Sequence, residues 1–337
     1  MSEGAWSEGG AAPRPGDPVH PRPPTPEAPA RRRRASNLTL RLVTASMLIP
    51  PLIYVIFLGG IWVLGTVVLI TLLGLREFYQ LIEAKGAQPL RGFGMVAGAS
   101  LPVVAFLGSE YQATLLMSAV LLGVMVAQLG KAQIADALAS ISGTFFGVLY
   151  VGWLLSHVIV LRDFTASAQA RFGPQVAAGW DPDAGAFYLL FTIAVVIAGD
   201  AGAYFAGRAY GRRKLAPRIS PGKTVEGAVG AVLAGIAMGL VCKAVFDALR
   251  PSLSAELSFA ACGVFAVILA VVGIVGDLVE SLLKRDAQVK DTGRLLPGTG
   301  GVLDRIDSNL LAIPVMYYLL LAYTFLASSV ASVDGPA

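Results

Sequence analysis

The chain has 337 residues, of which 55% are hydrophobic and 14% are charged, and its net charge at pH 7 is +4. Because a soluble domain averages about 25% charged residues, this composition excludes a soluble globular domain. Its two histidines, His20 and His157, exclude a metal site built from several histidines and argue against a Ser-His-Asp triad. Cys242 and Cys262 lie inside apolar runs without metal-ligand spacing, which predicts two buried packing residues.

The chain begins with a tail, residues 1–36, that is rich in Pro, Gly, Ala and Glu and has no apolar periodicity. This composition predicts a disordered segment. Four consecutive arginines, Arg31 to Arg34, and then Arg41 precede the first apolar run. Their position favours a topology determinant over a binding site for anionic lipid headgroups.

Apolar runs occupy most of the remaining chain, and several reach the roughly 20 residues that cross a bilayer as a helix. We therefore predict an all-α fold, a polytopic transmembrane helical bundle of about nine spans. Residues 37–184 would form an N-terminal transmembrane bundle, and residues 185–330 a catalytic transmembrane region with two polar loops. The predicted spans are 40–58, 61–82, 92–108, 111–130, 135–161, 185–207, 225–249, 256–281 and 303–328.

Lysines and arginines are distributed unevenly among the loops between these spans. With the arginine run inside, the bases of the loops 209–224 and 285–302 also fall inside, and few bases remain on the other side. The positive-inside rule then places both loops in the cytoplasm and the loop 163–183 across the membrane. The prediction is a multi-pass protein of the cell membrane whose polar loops face the compartment that contains nucleotides.

The first polar stretch, residues 199–227, reads GDAGAYFAGRAYGRRKLAPRISPGKTVEG. Asp200 ends an apolar run, and an acid at membrane depth is costly unless it faces a polar cavity or a partner. The alternative is an acid at the membrane edge that reaches water. Tyr204 and Arg208 follow on the same helix face.

Further along this stretch, Ser220, Lys223 and Thr224 precede a predicted helix that begins near residue 225. A helix N-terminus with a lysine and hydroxyl groups is suited to phosphate binding. The segment is not a Walker A motif, because Pro217 stands where that motif needs a glycine.

The second polar stretch, residues 276–308, reads GDLVESLLKRDAQVKDTGRLLPGTGGVLDRIDS. Helical spacing puts Asp277, Ser281 and Lys284 on one face, and an acidic pair, Asp304 and Asp307, opens the next helix. Two helices could thus present carboxylates to one point, and hard oxygen ligands suit a divalent cation such as Mg²⁺. Composition alone leaves an alternative, a basic cytoplasmic loop whose acids neutralise it. The bases that could hold phosphate oxygens are Lys284, Arg285, Lys290 and Arg305.

Both stretches resemble the signatures of the phosphatidate cytidylyltransferase (CDP-diacylglycerol synthase) family. The resemblance covers roughly residues 185–325. The matching residues are Gly199-Asp200-Ala201-Gly202-Ala203-Tyr204, Gly207-Arg208, Ser220-Pro221-Gly222-Lys223-Thr224-Val225-Glu226-Gly227, Ser281, Lys284-Arg285, Lys290-Asp291, Pro297-Gly298-Thr299-Gly300-Gly301 and Asp304-Arg305-Ile306-Asp307. One position departs from the family pattern, because Thr299 stands where the family has a histidine.

The resemblance implies that CTP and phosphatidate react to give CDP-diacylglycerol and pyrophosphate, with Mg²⁺ or another divalent cation as cofactor. Membrane lipids would surround the protein; no nucleic acid is expected as a partner, and a homo-dimer is left open. Asp277 and Asp304 are the leading metal ligands, with Asp307 and Asp200 next. Candidates for catalysis or phosphate contacts are Lys223, Lys284, Arg285, Lys290, Asp291 and Arg305, and candidates for further substrate contacts are Ser220, Thr224, Ser281 and Arg208.

Three alternatives stand beside this prediction. A membrane transporter with an intramembrane acid site would show related halves, and the chain shows only similar Gly-Asp pairs at 199–200 and 276–277. A CTP-dependent kinase or transferase that acts on another lipid would differ in its product. A homologue made inactive by Thr299 would give no product.

Overall fold

The computed structural model of the chain describes residues 49–108, 110–131, 136–293 and 300–333. The predicted disordered tail, the arginine run and Thr299 lie outside these residues. The helices are α1 (Ile49–Leu58), α2 (Gly60–Ala84), α3 (Arg91–Phe106), α4 (Glu110–Leu129), α5 (Ala137–Gly147), α6 (Leu154–Arg162), α7 (Phe164–Phe172), α8 (Ala184–Tyr210), α9 (Val225–Leu249), α10 (Pro251–Ser254), α11 (Phe259–Asp286) and α12 (Leu303–Val333).

Apolar helices of membrane-crossing length dominate the described residues. Seven are long and apolar enough: Gly60–Ala84, Tyr111–Leu129, Ala137–Arg162, Ala184–Tyr210, Val225–Leu249, Phe259–Asp286 and Leu303–Ser328. Two shorter apolar helices, α1 and α3, coincide with the other two predicted spans. The predicted all-α membrane protein is confirmed, although seven of the nine predicted spans, and not all nine, reach spanning length in the described ranges.

The span Ala137–Arg162 is continuous but not uniformly α-helical. A π-helical segment, Val148–Trp153, joins α5 to α6. Gly152 in this segment lies against the backbone of α3, and a Cβ at Gly152 would stand 2.8 Å from the Cα of Gly98. The tyrosine Tyr79 of α2 donates to the carbonyl of Thr144 on α5 at 3.0 Å. These contacts tie α2, α3 and the α5–α6 span into one bundle.

The carboxyl-terminal helices α8, α9, α11 and α12 pack around a core that includes Phe187, Phe191, Leu269 and Met316. Small residues allow these helices to pack closely against one another. A Cβ on Gly276 of α11 would lie 2.8 Å from the carbonyl oxygen of Asp307 on α12, so only glycine permits this crossing. The crossing therefore fixes which residues of α11 and α12 face each other.

A second core joins α2 to the start of α12. Leu75 and Phe78 of α2 share this cluster of buried residues with Leu303 and Leu310. Because α2 packs directly on α12, a residue of the amino-terminal bundle can reach the polar stretch that ends at α12.

The loop between α8 and α9 contains a short antiparallel hairpin that the all-α prediction did not include. Its strands are β1 (Lys214–Ala216) and β2 (Ser220–Thr224), the only strands in the described ranges. At the end of β2, the Thr224 hydroxyl accepts the N–H of Gly227 at 3.1 Å and caps α9. The hairpin thus leads straight into a helix N-terminus.

A buried arginine holds the other end of α8. Arg162 is 4% exposed, donates from Nε to the carbonyl of Ile56 at 2.7 Å, and pairs through Nη2 with Asp183 at 2.6 Å. Nearby, the hydroxyl of Ser252 donates to Asp181 and holds the pKa of that carboxyl below its usual range. These contacts join α1, α6, α8 and α10 at the end of the bundle away from the hairpin.

Candidate active site

Three carboxylates meet where the end of α11 crosses the start of α12. One oxygen each from Asp277, Glu280 and Asp307 lies within 4.8 Å of the others. Glu280 is 1% exposed, and its Oε1 has no hydrogen-bond partner among the described residues. We call these three residues the carboxylate cluster.

Two lysines border the carboxylate cluster. The Nζ of Lys223, from the hairpin, lies 2.7 Å from Oδ2 of Asp277. The Nζ of Lys284 lies 2.8 Å from Oε2 of Glu280 and 2.8 Å from Oδ1 of Asp304. If the three carboxylates of the cluster and the carboxylate of Asp304 are all ionised, their four negative charges and the two ammonium groups sum to a formal charge of −2. That excess equals the charge of one divalent cation.

The donor set of the cluster fits a hard divalent cation. Carboxylate oxygens are the ligands that Mg²⁺ prefers, and the unpartnered Oε1 of Glu280 is a buried acceptor that a cation would satisfy. Ser308, next to Asp307 on α12, also has a buried hydroxyl without a hydrogen-bond partner in the described ranges. Asp200 on α8 is exposed and lies near enough for the charges of Asp307 and Asp277 to act on it.

Asp304, one of the two leading ligands predicted from sequence, lies beside the cluster and is already held by protein donors. Its Oδ2 accepts the backbone N–H of Gly301 at 2.8 Å, and the N–H and hydroxyl of Thr292 at 3.0 and 2.9 Å. Its Oδ1 accepts from Lys284. Asp304 therefore orders the start of α12 and the segment before it, and it reaches the cluster through Lys284.

Glu77 of α2 is a buried acid that the sequence analysis missed. It is 5% exposed, and its oxygens accept the backbone N–H groups of Val302 at 3.0 Å and Leu303 at 2.8 Å. The hydroxyl of Thr292 lies 3.3 Å from its Oε2. Glu77 thus caps the N-terminus of α12 from another helix. An ionisable residue in an apolar span was the available signal.

Glu280 was missed although it lies inside the quoted second stretch. It stands three residues after Asp277 and four before Lys284, a spacing that places all three on one helix face. The same spacing argument that selected Asp277 and Lys284 would have selected Glu280.

The hairpin brings the first polar stretch to the second. Arg285 at the end of α11 donates from Nε to the carbonyl of Ile219 at 3.3 Å. The carboxylate of Glu226 accepts the backbone N–H groups of Arg212 at 3.0 Å and Arg213 at 3.2 Å. These contacts fix both ends of the hairpin, so that Lys223 points to Asp277.

The remaining predicted residues lie at various distances from the cluster. The Ser281 hydroxyl is 3.4 Å from Oδ1 of Asp277. Arg208 donates to the hydroxyl of Tyr204 at 3.0 Å, and both are exposed. Ser220 and Thr224 lie at the two ends of β2. Arg305 is exposed, and Lys290 and Asp291 line a separate cavity.

Comparisons with known proteins agree with this arrangement. Residues 39–323 match the model of the cytidylyltransferase family. A phosphatidate cytidylyltransferase of Synechocystis is 31% identical over 293 residues, which cover 84% of this chain and 96% of the relative. One of Brucella suis is 32% identical over 282 residues, 84% of this chain and 93% of the relative.

A shorter and closer match falls on the relative from Haemophilus influenzae, also named a phosphatidate cytidylyltransferase. It is 41% identical over 138 residues, which cover 41% of this chain and 47% of that protein. The family model spans most of the chain, and the Synechocystis and Brucella relatives match over nearly their whole length. The chain belongs to the cytidylyltransferase family.

Proposed function

We propose that the protein is a phosphatidate cytidylyltransferase, which converts CTP and phosphatidate to CDP-diacylglycerol and pyrophosphate. The observation that carries this proposal is the carboxylate cluster flanked by two lysines at the ends of apolar, membrane-spanning helices. The cytidylyltransferase family and the names of the relatives favour CTP and phosphatidate as the substrates.

The reaction joins two anionic groups without a protein nucleophile. An oxygen of the phosphatidate phosphate attacks the α-phosphorus of CTP, the new P–O bond forms, and the bond from the α-phosphorus to the bridging oxygen breaks. Pyrophosphate leaves with that oxygen. Because the attacking phosphate is already ionised near neutral pH, no strong general base is needed, which agrees with a chain that has two histidines.

The chain's own residues would orient and screen these anions. Asp277, Glu280 and Asp307 would hold Mg²⁺, with Asp200 close by; when bound, the ion would offset the charge of the approaching phosphates. Lys223, on the strand before the capped N-terminus of α9, is placed to contact the triphosphate. Lys284 would keep the acids Glu280 and Asp304 in register.

We further propose that the hairpin and the second polar stretch face the cytoplasm of a cell-membrane protein, as the distribution of bases predicts. Cysteine labelling tests this orientation. In a background without Cys242 and Cys262, Pro217→Cys on the hairpin and Gln175→Cys in the loop 163–183 introduce exposed thiols. We expect labelling from opposite sides, and labelling of both from one side would contradict the topology.

The function itself is tested with purified protein, phosphatidate, Mg²⁺ and CTP labelled on either the α- or the γ-phosphorus. A cytidylyltransferase moves the α-label into the lipid and releases the γ-label as pyrophosphate. A CTP-dependent lipid kinase would move the γ-label into the lipid, and a transporter or an inactive homologue would move neither. Only the first result agrees with the proposal.

A further inference from the structure

A cavity of about 760 Å³ lies between the carboxyl-terminal part of α2 and residues 289–293. Neither the carboxylate cluster nor the hairpin lines it. The α2 side is formed by Leu73, Arg76, Glu77 and Gln80, whose spacing places them on one helix face. Lys290 faces the same space from the segment before α12.

The cavity holds two basic side chains that the described residues do not neutralise. Arg76 and Lys290 are both exposed, and in the described ranges neither forms an ion pair, whereas Lys223 and Lys284 are both paired. Two acids also line the cavity. Glu77 is engaged by the N–H groups of α12, and Asp291 is exposed. The four charged side chains sum to a formal charge of zero, but the Glu77 oxygens are occupied by N–H groups at the start of α12. Arg76 and Lys290 therefore remain as the donors available to an anion.

The surface of α2 that leads from the membrane to these two bases is apolar. Leu69, 57% exposed, and Leu73 precede Arg76 along one face of a helix that the chain uses to cross the membrane. An arginine in such a helix needs water, an anion or another partner. A lipid lying along this face would rest its acyl chains on the leucines and bring its phosphate to Arg76. A free nucleotide gains nothing from that apolar approach.

A chain of hydrogen bonds and ion pairs links the cavity to the candidate active site. Thr292 lines the cavity, and its hydroxyl donates to Asp304 at 2.9 Å. Asp304 in turn pairs with Lys284, which pairs with Glu280 of the carboxylate cluster. Lys223 reaches the same cluster from the hairpin. The cluster is therefore contacted by Lys223 of the hairpin and is linked through Lys284, Asp304 and Thr292 to the cavity beside α2.

We propose that this cavity binds the phosphate of the lipid substrate, with Arg76 and Lys290 as its ligands and the Leu69–Leu73 face of α2 as its approach from the membrane. The inference rests on the proposed function and deepens it, because it divides the basic residues between the two substrates. The hairpin serves the triphosphate, and the α2 cavity serves the phosphomonoester lipid.

The kinetic test uses the full-length protein in neutral detergent micelles, with the mole fraction of phosphatidate and the concentration of CTP varied separately. Because Arg76→Ala removes a charge-assisted contact to the phosphate, it should raise the half-saturating phosphatidate mole fraction about tenfold or more. The half-saturating CTP concentration should stay within about twofold, since no contact to CTP is lost. Arg76→Lys should recover part of the loss.

Lys85→Ala is the matched control, because Lys85 is an exposed base at the end of the same helix that pairs with Asp286 outside this cavity. It should leave both half-saturation values unchanged. An equal rise in Lys85→Ala would mean a general attraction of anionic lipid and would overturn the proposal. A rise confined to CTP in Arg76→Ala would assign the cavity to the nucleotide, and no change in either value would also overturn it.

A binding test separates this proposal from the proposed function. Thermal unfolding is measured without CTP and without Mg²⁺, with phosphatidate, phosphatidylglycerol or soluble glycerol 3-phosphate added. We expect phosphatidate to raise Tm most in the wild type and this increment to fall in Arg76→Ala. Equal stabilisation by phosphatidylglycerol, or by the soluble phosphate, would contradict a site for a phosphomonoester lipid. This result is informative even if the wild type fails to turn over CTP.

Discussion

Two groups of acids meet near the start of α12, and they differ in the hydrogen-bond donors that surround them. Glu77 and Asp304 are surrounded by protein donors, with backbone N–H groups, the Thr292 hydroxyl and Lys284 directed at their oxygens. The three acids of the carboxylate cluster have fewer donors, namely two lysines, the Ser281 hydroxyl and the N–H of Ser308. One buried oxygen of Glu280 has no donor in the described ranges. The number of protein donors separates the two groups.

The difference in the number of protein donors indicates a different role for each group of acids. A carboxylate whose lone pairs are already used by N–H and O–H donors is a structural anchor, and it gains little from a metal ion. Carboxylates held together with few donors repel one another, and that arrangement is stable when a cation joins them. We therefore interpret Glu77 and Asp304 as positioning residues and the cluster as the cation site.

The largest effect is expected in the cluster. Asp277→Asn and Asp307→Asn should each lower kcat by about 100-fold or more, because each removes a charge from the centre that stabilises the reacting phosphates. The protein should still insert and remain folded. Product formation from CTP and phosphatidate at saturating Mg²⁺ is the measurement, and full activity of either variant would remove that residue from the cation site.

Loss of the anchor at Glu77 should have an intermediate effect. Glu77→Ala leaves the N–H groups of Val302 and Leu303 buried without an acceptor, at a cost of about 1–3 kcal/mol each. We expect a lower Tm and about a tenfold loss of activity. Glu77→Gln keeps one acceptor oxygen and should lose less of both.

If Glu77 instead belonged to the cation site, the two variants would behave differently. Both would raise the Mg²⁺ concentration needed for half-maximal activity by similar factors, and Glu77→Gln would leave Tm unchanged. That pattern would contradict the interpretation of Glu77 as a positioning residue outside the cation site.

Substitution of Gly301, which packs against the Glu77 carboxylate, tests the same contact. A Cβ at Gly301 would collide with the Glu77 carboxylate and with the Thr292 hydroxyl, so Gly301→Ala should lower Tm and reduce activity several-fold. Gly222→Ala on the hairpin is the matched control, because nothing lies within 4 Å of the added Cβ. Equal Tm values for the two variants would contradict close packing of Gly301 against Glu77 and Thr292.

The smallest effect is expected at Thr299, which lies outside the described residues. Among the described residues, Thr292, Gly301, Val302 and Leu303 already supply donors to Asp304 and Glu77. Thr299→Ala should therefore lower CDP-diacylglycerol formation only modestly, and Thr299→His should be tolerated. If the native protein makes no product while Thr299→His does, the active enzyme proposed here is wrong and the chain is a degenerate homologue.

Much of this arrangement follows from local sequence. Apolar runs of spanning length predict the long helices, and spacing along α11 and α12 predicts that carboxylates of the two helices face one point, with Asp277 and Asp304 as the leading pair and Asp307 next. The hairpin escaped prediction because its strands have three and five residues rich in Gly and Pro, too short for a period-2 pattern. Glu77 escaped because its partners lie more than 200 residues away, and only the packing of α2 on α12 brings them together.

Asp304 illustrates a further limit of the sequence. Its place at the start of α12 is predicted correctly, but the sequence does not say which donors surround it. Thr292 and Gly301 both donate to its carboxylate, and Gly293 and Gly301 both lie close against the carboxylate of Glu77. A count of acids therefore overestimates the number that remain available for a cation.

The most direct test of the division between the two groups is a measurement of metal binding that needs no turnover. Purified wild type, Glu280→Gln and Asp304→Asn are titrated with Mn²⁺ as a probe for Mg²⁺, and free Mn²⁺ is followed by electron paramagnetic resonance. The account predicts that Glu280→Gln weakens Mn²⁺ binding by about tenfold or more, whereas Asp304→Asn binds within a few-fold of wild type. Unchanged binding in Glu280→Gln together with lost binding in Asp304→Asn would contradict the account and restore Asp304 as the ligand.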